Sequence, residues 1–488
     1  MGAPADTHPA EPGHRDRWGH PRQLWTLLVV TVGLNFAFYG FRAFLAPYAA
    51  QAFFADLTNA EALKQANLMV AGFGTLTYAT AIIGGWVADN VLGEVRALRI
   101  SLWLATIGLV AMAWPSREGF TLALAFFVLA AGLGIPLTVL IGRNYPTDDP
   151  RRDAGYTLFY LAINLGGFIA PFVCAAWIGH AFGYRWGFIA AAAGMALGAA
   201  VFQWRHRRVP SADDMVRYAS AHATQIVLLA MLALLWPTAL VLSHPGLLHV
   251  AVYTLMALLV LYFIVSGVRR GDRVQNERYV AMLLLFVAMV LFWALSLQGA
   301  TSLNFFARDY VRAPFDFTLF QSANPLYILI LAPLLALLWP WLDRRGINPS
   351  TPRKFGIGLL LVALSYGVMV YAAAHLIGAD SRVPWWPLAV CYLLQTLGEL
   401  ALSPIGYAMV TRLAAPEEAS LAMGGWFFGI GVSYDLTGQI AAMTTTGVQS
   451  GIDGYAQVYG ALLVLGLAVA LVYLLAAPWI TRLMHGVR

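Results

Sequence analysis

Apolar runs of about 20 residues, parted by short polar breaks, repeat along the whole 488-residue chain. Fourteen can be counted, at roughly 24–50, 66–88, 97–114, 119–141, 154–178, 184–204, 223–243, 246–268, 279–300, 317–341, 354–376, 385–411, 419–443 and 455–480. At about 1.5 Å of rise per residue, each is long enough to cross a hydrocarbon core of ~30 Å as an α-helix. Gly and Pro recur inside these runs, which membrane helices tolerate because their neighbours re-satisfy the freed backbone groups. The pattern predicts an all-α polytopic membrane protein.

Composition agrees: 60% of residues are hydrophobic and only 11% charged, too few to coat a soluble protein of this length. The basic residues then set the orientation. With both termini cytoplasmic, 23 of the 30 Lys and Arg residues fall on inside segments, and six (Lys64, Arg117, Arg185, Arg308, Arg312 and Arg382) fall outside. The remaining one, Arg42, is inside the membrane. This asymmetry accounts for the net charge of +6 without any nucleic-acid partner. The polar N-terminus leads straight into a full-length span, so no cleavable signal peptide is expected. Cys174 and Cys391 both lie in spans, which predicts neither a disulfide framework nor a metal site. No phosphate-binding Gly loop, HExxH or GxSxG occurs, so no enzyme and no cofactor is expected.

The longest polar breaks, near 205–222 and 269–278, flank two spans with almost no polar side chains. Those two read as an insertion. Without them the chain is six spans, a break and six more, the 6+6 arrangement of the major facilitator fold, with its site near the bilayer midplane between the halves. The expected organisation is a cytoplasmic tail at 1–23, a six-helix bundle at 24–204, a linker with the two inserted helices at 205–278, a second bundle at 279–480, and a tail at 481–488.

The segments GGWVADNVLG (84–93), RRDAGYTLFYLAINLGGFIAP (151–171), FQSANPLYILILAPL (320–334), NPSTPRKF (348–355) and GELALSP (398–404) resemble, in order, those of the proton-dependent oligopeptide transporter family. Bacterial members of that family carry two extra helices where the inserted pair lies here.

A charge at the centre of a membrane helix costs about 2.5–3.5 kcal/mol on insertion scales, so each needs a partner, a wet cavity or a function. Three qualify: Arg42, Glu399 and Asp435. They do not stand alone. Thr31, Asn35, Tyr39 and Arg42 form one helical stripe, Tyr156, Tyr160 and Asn164 a second, and Tyr392, Gln395, Glu399 and Ser403 a third. Such stripes are expected to face an aqueous cavity or each other; polar glue between packed helices is the plainer reading for Tyr39, Tyr160 and Ser403.

The resemblance implies that Tyr39, Arg42, Tyr160, Asn164, Asn324 and Glu399 bind substrate, with Arg42 attracting a peptide carboxylate and Glu399 its amino group. The chemistry suits that division, since a guanidinium offers a rigid fork of donors and a carboxylate accepts from an ammonium. Asp89 reads as part of a cytoplasmic gate with Arg96 and Arg99 nearby.

Departures from the family concern the proton. Where its first helix reads ExxERFxYYGxR, this chain has Thr31, Leu34 and Asn35 in place of the two glutamates and their arginine. A lysine expected near GLGIPLTVLIG (132–142) is absent, and Leu297 stands where an acid precedes Gln298. The usual proton relay cannot operate. Asp435, in GVSYDLTGQIA, is a candidate substitute proton site together with Glu399, or else a helix-packing residue.

The expectation is a peptide transporter of the symport type, or one for peptide-like solutes, with altered or absent proton coupling. It would be a monomer in the bacterial cytoplasmic (inner) membrane, with small peptides, the bilayer and candidate protons as its partners. Two other readings stand beside it: a transporter-like scaffold or partner subunit without transport, and a carrier of a non-peptide organic anion.

Overall fold

In the computed structural model, the described residues are 19–487, except 115, 147, 148, 150, 212, 214, 215, 219 and 447–450. Most of the expected N-terminal tail therefore lies outside them. The described residues form a bundle with fourteen long helices. Thirteen are long and apolar enough to cross a membrane: α1 (Arg22–Phe53), α2 (Asn59–Leu92), α3 (Glu94–Met112), α4 (Arg117–Arg143), α5 (Arg151–Phe182), α6 (Tyr184–Arg208), α7 (Ala223–Ser243), α8 (Pro245–Arg270), α9 (Arg273–Tyr310), α10 (Phe317–Arg344), α11 (Thr351–His375), α12 (Trp386–Leu413) and α14 (Ile452–Leu483). The fourteenth, α13 (Ala419–Thr446), has the length but carries Ser433, Asp435, Thr437 and Gln439 in its middle. It is packed among the others, which explains why so polar a helix can lie there.

Local sequence chemistry starts and bends these helices. The Thr58 hydroxyl accepts from Glu61 N, the Ser116 hydroxyl from Gly119 N and the Asp272 carboxylate from Val274 N, each satisfying an orphan donor of a first turn. Other helices change gauge midway: α2 ends in a π-helical turn at Ala88–Leu92, and α9 tightens to a 3₁₀ turn at Leu297–Ala300. Two-residue strands, Val311–Arg312 and Val383–Pro384, pair in parallel after α9 and before α12.

Two large hydrophobic cores form, with a small third cluster between α8 and α13. One draws its buried residues chiefly from α1 to α7, and the other from the end of α8 to α14. With lipid outside, helix contact depends on close packing rather than on expulsion of water. Small residues supply it: a Cβ on Gly33 would lie 2.7 Å from the Gly194 carbonyl, and one on Gly398 would lie 2.9 Å from that of Gly358. Outward faces are apolar, as at Trp236, Leu337 and Leu475.

The two halves meet along α2 and α13 and between α5 and α10. Thr75 Oγ1 donates to the Gly431 carbonyl at 2.9 Å, Asn304 Nδ2 to Ala43 at 3.0 Å and Ser322 Oγ to Phe168 at 2.8 Å. His180 and Asp316 approach within 3.6 Å at the face away from the chain ends. The inserted helices are peripheral and present exposed apolar faces, as at Leu229, Trp236, Val250 and Val268.

Candidate functional site

A cavity of about 80 Å³ lies between the halves. Tyr39 and Arg42 of α1 line it from one side. Trp293, Ser296 and Leu297 of α9, Gln321 and Asn324 of α10, and Tyr392, Gln395 and Glu399 of α12 line it from the other. Its volume is below the roughly 300 Å³ at which small-molecule pockets begin, so in this state it accommodates only a few waters.

Arg42 enters the cavity between two rings. Its guanidinium carbon lies 5.7 Å from the Tyr39 ring centroid and 5.8 Å from that of Tyr434, on α13. Cation–π contact of this kind holds the side chain without neutralising it. Arg42 Nε is buried with no hydrogen-bond partner, and no carboxylate among the described residues forms an ion pair with it. Opposite it, Glu399 accepts from Asn324 Nδ2 at 2.8 Å, and the same amide reaches Thr396 Oγ1 at 3.0 Å. Glu399 and Arg42 are within electrostatic reach across the cavity but do not bond. The site therefore has one cationic and one anionic pole on separate halves.

The three stripes divide. Of the first, only Tyr39 and Arg42 reach the cavity; Thr31 is fully buried and donates to the Leu27 carbonyl at 2.7 Å, and Asn35 donates to Thr31 at 2.9 Å. Both bond within their own helix, where α1 packs closely on α5 and α6. In the second, Tyr160 is within electrostatic reach of Glu399 and Tyr39, whereas Asn164 is 2% exposed and turns its amide back to the Tyr160 carbonyl at 2.9 Å. The third stripe places Tyr392, Gln395 and Glu399 on the cavity and leaves the Ser403 hydroxyl buried beyond it.

Asp435 is not a cavity residue. Tyr434 faces Arg42, and the next residue is turned by about 100° on a helix of 3.6 residues per turn. That rotation points Asp435 at α8, where its Oδ1 lies 2.6 Å from His249 Nδ1. The structure therefore puts Asp435 outside the cavity, between α13 and α8. The inserted spans, with few polar side chains in the sequence, bring His249 and Tyr253 to this face.

Asp89 and Arg96 are exposed and Arg99 contacts His206 Nε2 at 3.3 Å, so the three expected gate residues are not joined to one another. The ion pair at that end is one the sequence reading missed. Glu94, 4% exposed, accepts from Arg143 Nε at 2.8 and 2.6 Å, bracing α3 to the end of α4. Asp213 of the linker accepts from Val95 N at 3.2 Å and caps α3.

Gln321, Trp293, Ser296 and Tyr434 were also missed. Gln321 could have been found, since it stands one turn before Asn324 on the same helix face. It donates to the Gly299 carbonyl, and Tyr392 OH reaches the same oxygen at 3.4 Å. Both hold the 3₁₀ turn that directs Leu297 into the cavity. Gln298 turns away, with Nε2 on the Thr437 carbonyl at 3.1 Å and Oε1 accepting from Ser302 at 2.7 Å. Among the described residues no His, Cys, Asp and Glu group is fit to hold a metal, and Cys174 and Cys391 are buried and unpaired.

Comparison with known proteins gives a consistent result. The sequence model of the POT family matches residues 96–460. The chain is 34% identical to the peptide transporter YePEPT of Yersinia enterocolitica subsp. palearctica, over 85% of this chain and 86% of that one. It is 32% identical to the transporter YclF of Bacillus subtilis (strain 168), over 96% of each. Its fold superposes with a TM-score of 0.83 on a crystal structure of a peptide transporter, POT, in complex with sulfate, at 30% identity and covering 97% of this chain and 98% of that one.

Proposed function

This chain belongs to the POT family, and from that premise we propose that it is a secondary transporter of di- and tripeptides or peptide-like solutes, working by alternating access. The observation that supports this most is the pair of poles: Arg42 from one half and Glu399 from the other face one cavity and do not neutralise each other. A zwitterion with an ammonium at one end and a carboxylate at the other satisfies both, while an anion or cation leaves one unpaired. Because the cavity is too small for such a ligand, the halves must separate to admit it.

In this reading Arg42 takes the carboxylate and Glu399, held by Asn324, takes the ammonium. Tyr39 and Tyr160 flank the ligand, and Asn164 supports Tyr160 from behind. Glu399 is the one carboxylate on the cavity, so proton coupling is weak or absent. The cytoplasmic face carries both chain ends, the membrane is the bacterial inner membrane, and the working unit is a monomer. Asp89, Arg96 and Arg99 belong to the cytoplasmic gate region, with Glu94 and Arg143 as its brace.

The test is thermal stabilisation of the purified protein by a panel of di- and tripeptides, modified peptides and organic anions. A peptide at 100 times its Kd stabilises the fold by ~2.7 kcal/mol if it binds only the folded state. Stabilisation by organic anions lacking an amine, and by no peptide, rejects the proposal.

A further inference from the structure

The inserted helices do not stay together on one bundle. α7 packs on α4 and α2, in the first half, and α8 packs chiefly on α9 and α13, in the second, with a smaller contact on α2. Together they bridge the α2–α13 seam, across which the halves meet most extensively. At the end of α8 nearer the chain termini, Tyr262 and Ser266 donate to Glu418 Oε1 at 3.0 and 2.7 Å. Toward its other end, His249 Nδ1 lies 2.6 Å from Asp435 Oδ1. Gln439 Nε2 donates to Asp435 Oδ2 and contacts Tyr253 OH, both at 2.8 Å.

Asp435 is 1% exposed, whereas the His249 side chain is 29% exposed. A carboxylate so far from water needs a partner that supplies charge or hydrogen bonds. Its partner stands four residues beyond Pro245, about 6 Å from the α7–α8 turn at 1.5 Å per residue, so water at that face is within a proton's reach. Tyr253 is the other titratable group that α8 turns toward the pair. α2 brings Leu76 and Ala79, α7 Val241 and α9 Val290 to the apolar patch beside it.

We propose that His249 and Asp435 form a proton-binding site, separate from the substrate cavity, through which the pH at that face sets the grip of the inserted hairpin on the second bundle. With the imidazole charged, the two groups are an ion pair with a charge-assisted hydrogen bond, and α8 is held to α13. With it neutral, one weaker hydrogen bond remains and α8 loosens. Since α7 keeps its seat on the first bundle, the hairpin is a strap over a seam that has to move whenever the cavity changes sides. The proton site stands whatever the cargo is.

A double-mutant cycle of His249→Gln and Asp435→Asn, on the purified full chain with unfolding midpoints at pH 5.5 and pH 8, tests the site without any substrate. The expected result is a coupling of several degrees at pH 5.5 that falls by more than half at pH 8. Equal coupling at both values, or none at either, overturns the proposal. Hydrogen–deuterium exchange of the wild-type chain supplies a reading that needs no variant. After correction for intrinsic rates, segments around His249 should exchange several-fold faster at pH 8 than at pH 5.5, while α7 does not change. Equal protection of α8 at the two pH values also defeats it.

Discussion

The Asn324 amide nitrogen donates to Glu399 Oε2 at 2.8 Å, so the anionic pole of the cavity is aimed by a neighbour on a different helix. Asn324 is on α10 and Glu399 on α12, and the bond ties the orientation of one helix to the chemistry of the other. Replacing Asn324 with Ala should weaken an amine-bearing ligand by about 1.5–3 kcal/mol, the usual worth of a hydrogen bond to a charged group. Calorimetric titration with dialanine checks it. A Kd within twofold of wild type would show that Glu399 aims itself.

Arg42 lies between the rings of Tyr39 and Tyr434, which present its fork to the cavity without consuming its donors. Arg42→Ala should cost a carboxylate-bearing ligand about 2–5 kcal/mol, and Arg42→Lys should recover only part of that, because an ammonium cannot engage a carboxylate bidentately. A peptide amide, lacking the carboxylate, should bind both variants about as it binds wild type. Equal losses for the acid and the amide would mean that the substitution damages the cavity rather than the contact.

Much of this was legible in the sequence for a physical reason. A lipid surround demands long apolar helices, so the fourteen spans could be counted, and the charge at Arg42 could not be hidden in a solvated loop. Position on a helix was harder. Thr31 and Arg42 share a stripe, yet Thr31 bonds its own backbone where α1 packs closely on its neighbours. Asp435 lies in a motif beside the cavity-facing Tyr434, but one residue of helical rotation carries it to α8. The partner of a buried charge depends on which face meets which helix, and a single sequence does not print that.

Glu418, between α12 and α13, shows how a buried acid at the membrane edge is kept ionised. Burial pushes its carboxyl up, but hydrogen bonds from Tyr279, Ser266, Tyr262 and Arg270 outweigh it and hold the group below the usual carboxylate value. A lowered folded-state value stabilises the fold above the unfolded-state value and loses that stabilisation as pH falls through the lower, folded one. Wild type should therefore melt above Glu418→Gln near neutrality, and the gap should close as pH drops below about 4. Melting curves from pH 3 to pH 7 measure the gap, and one that widens in acid would reverse the assigned sign.

Coupling to protons is the property in which this cavity differs most from what its motifs lead one to expect. Leu297 faces the cavity where an acid would stand, Thr31 and Asn35 are spent on backbone bonds, and Asp435 points away to His249. Glu399 alone remains as a carboxylate that meets both the ligand and the moving halves. A single acid that must also bind the ammonium has no neighbouring group to hand its proton to, so loading and release are poorly linked to the direction of movement. In liposomes, wild type is expected to equilibrate dialanine and to support counterflow, with little accumulation under an imposed pH gradient. Asp435→Asn should leave the extent of accumulation unchanged, because its carboxylate is off the transport path. Leu297→Glu restores a second acid within the cavity that holds Arg42, and accumulation under the gradient should rise while counterflow persists. Strong gradient-driven accumulation by wild type that survives Glu399→Gln would place the coupling proton elsewhere and refute this account.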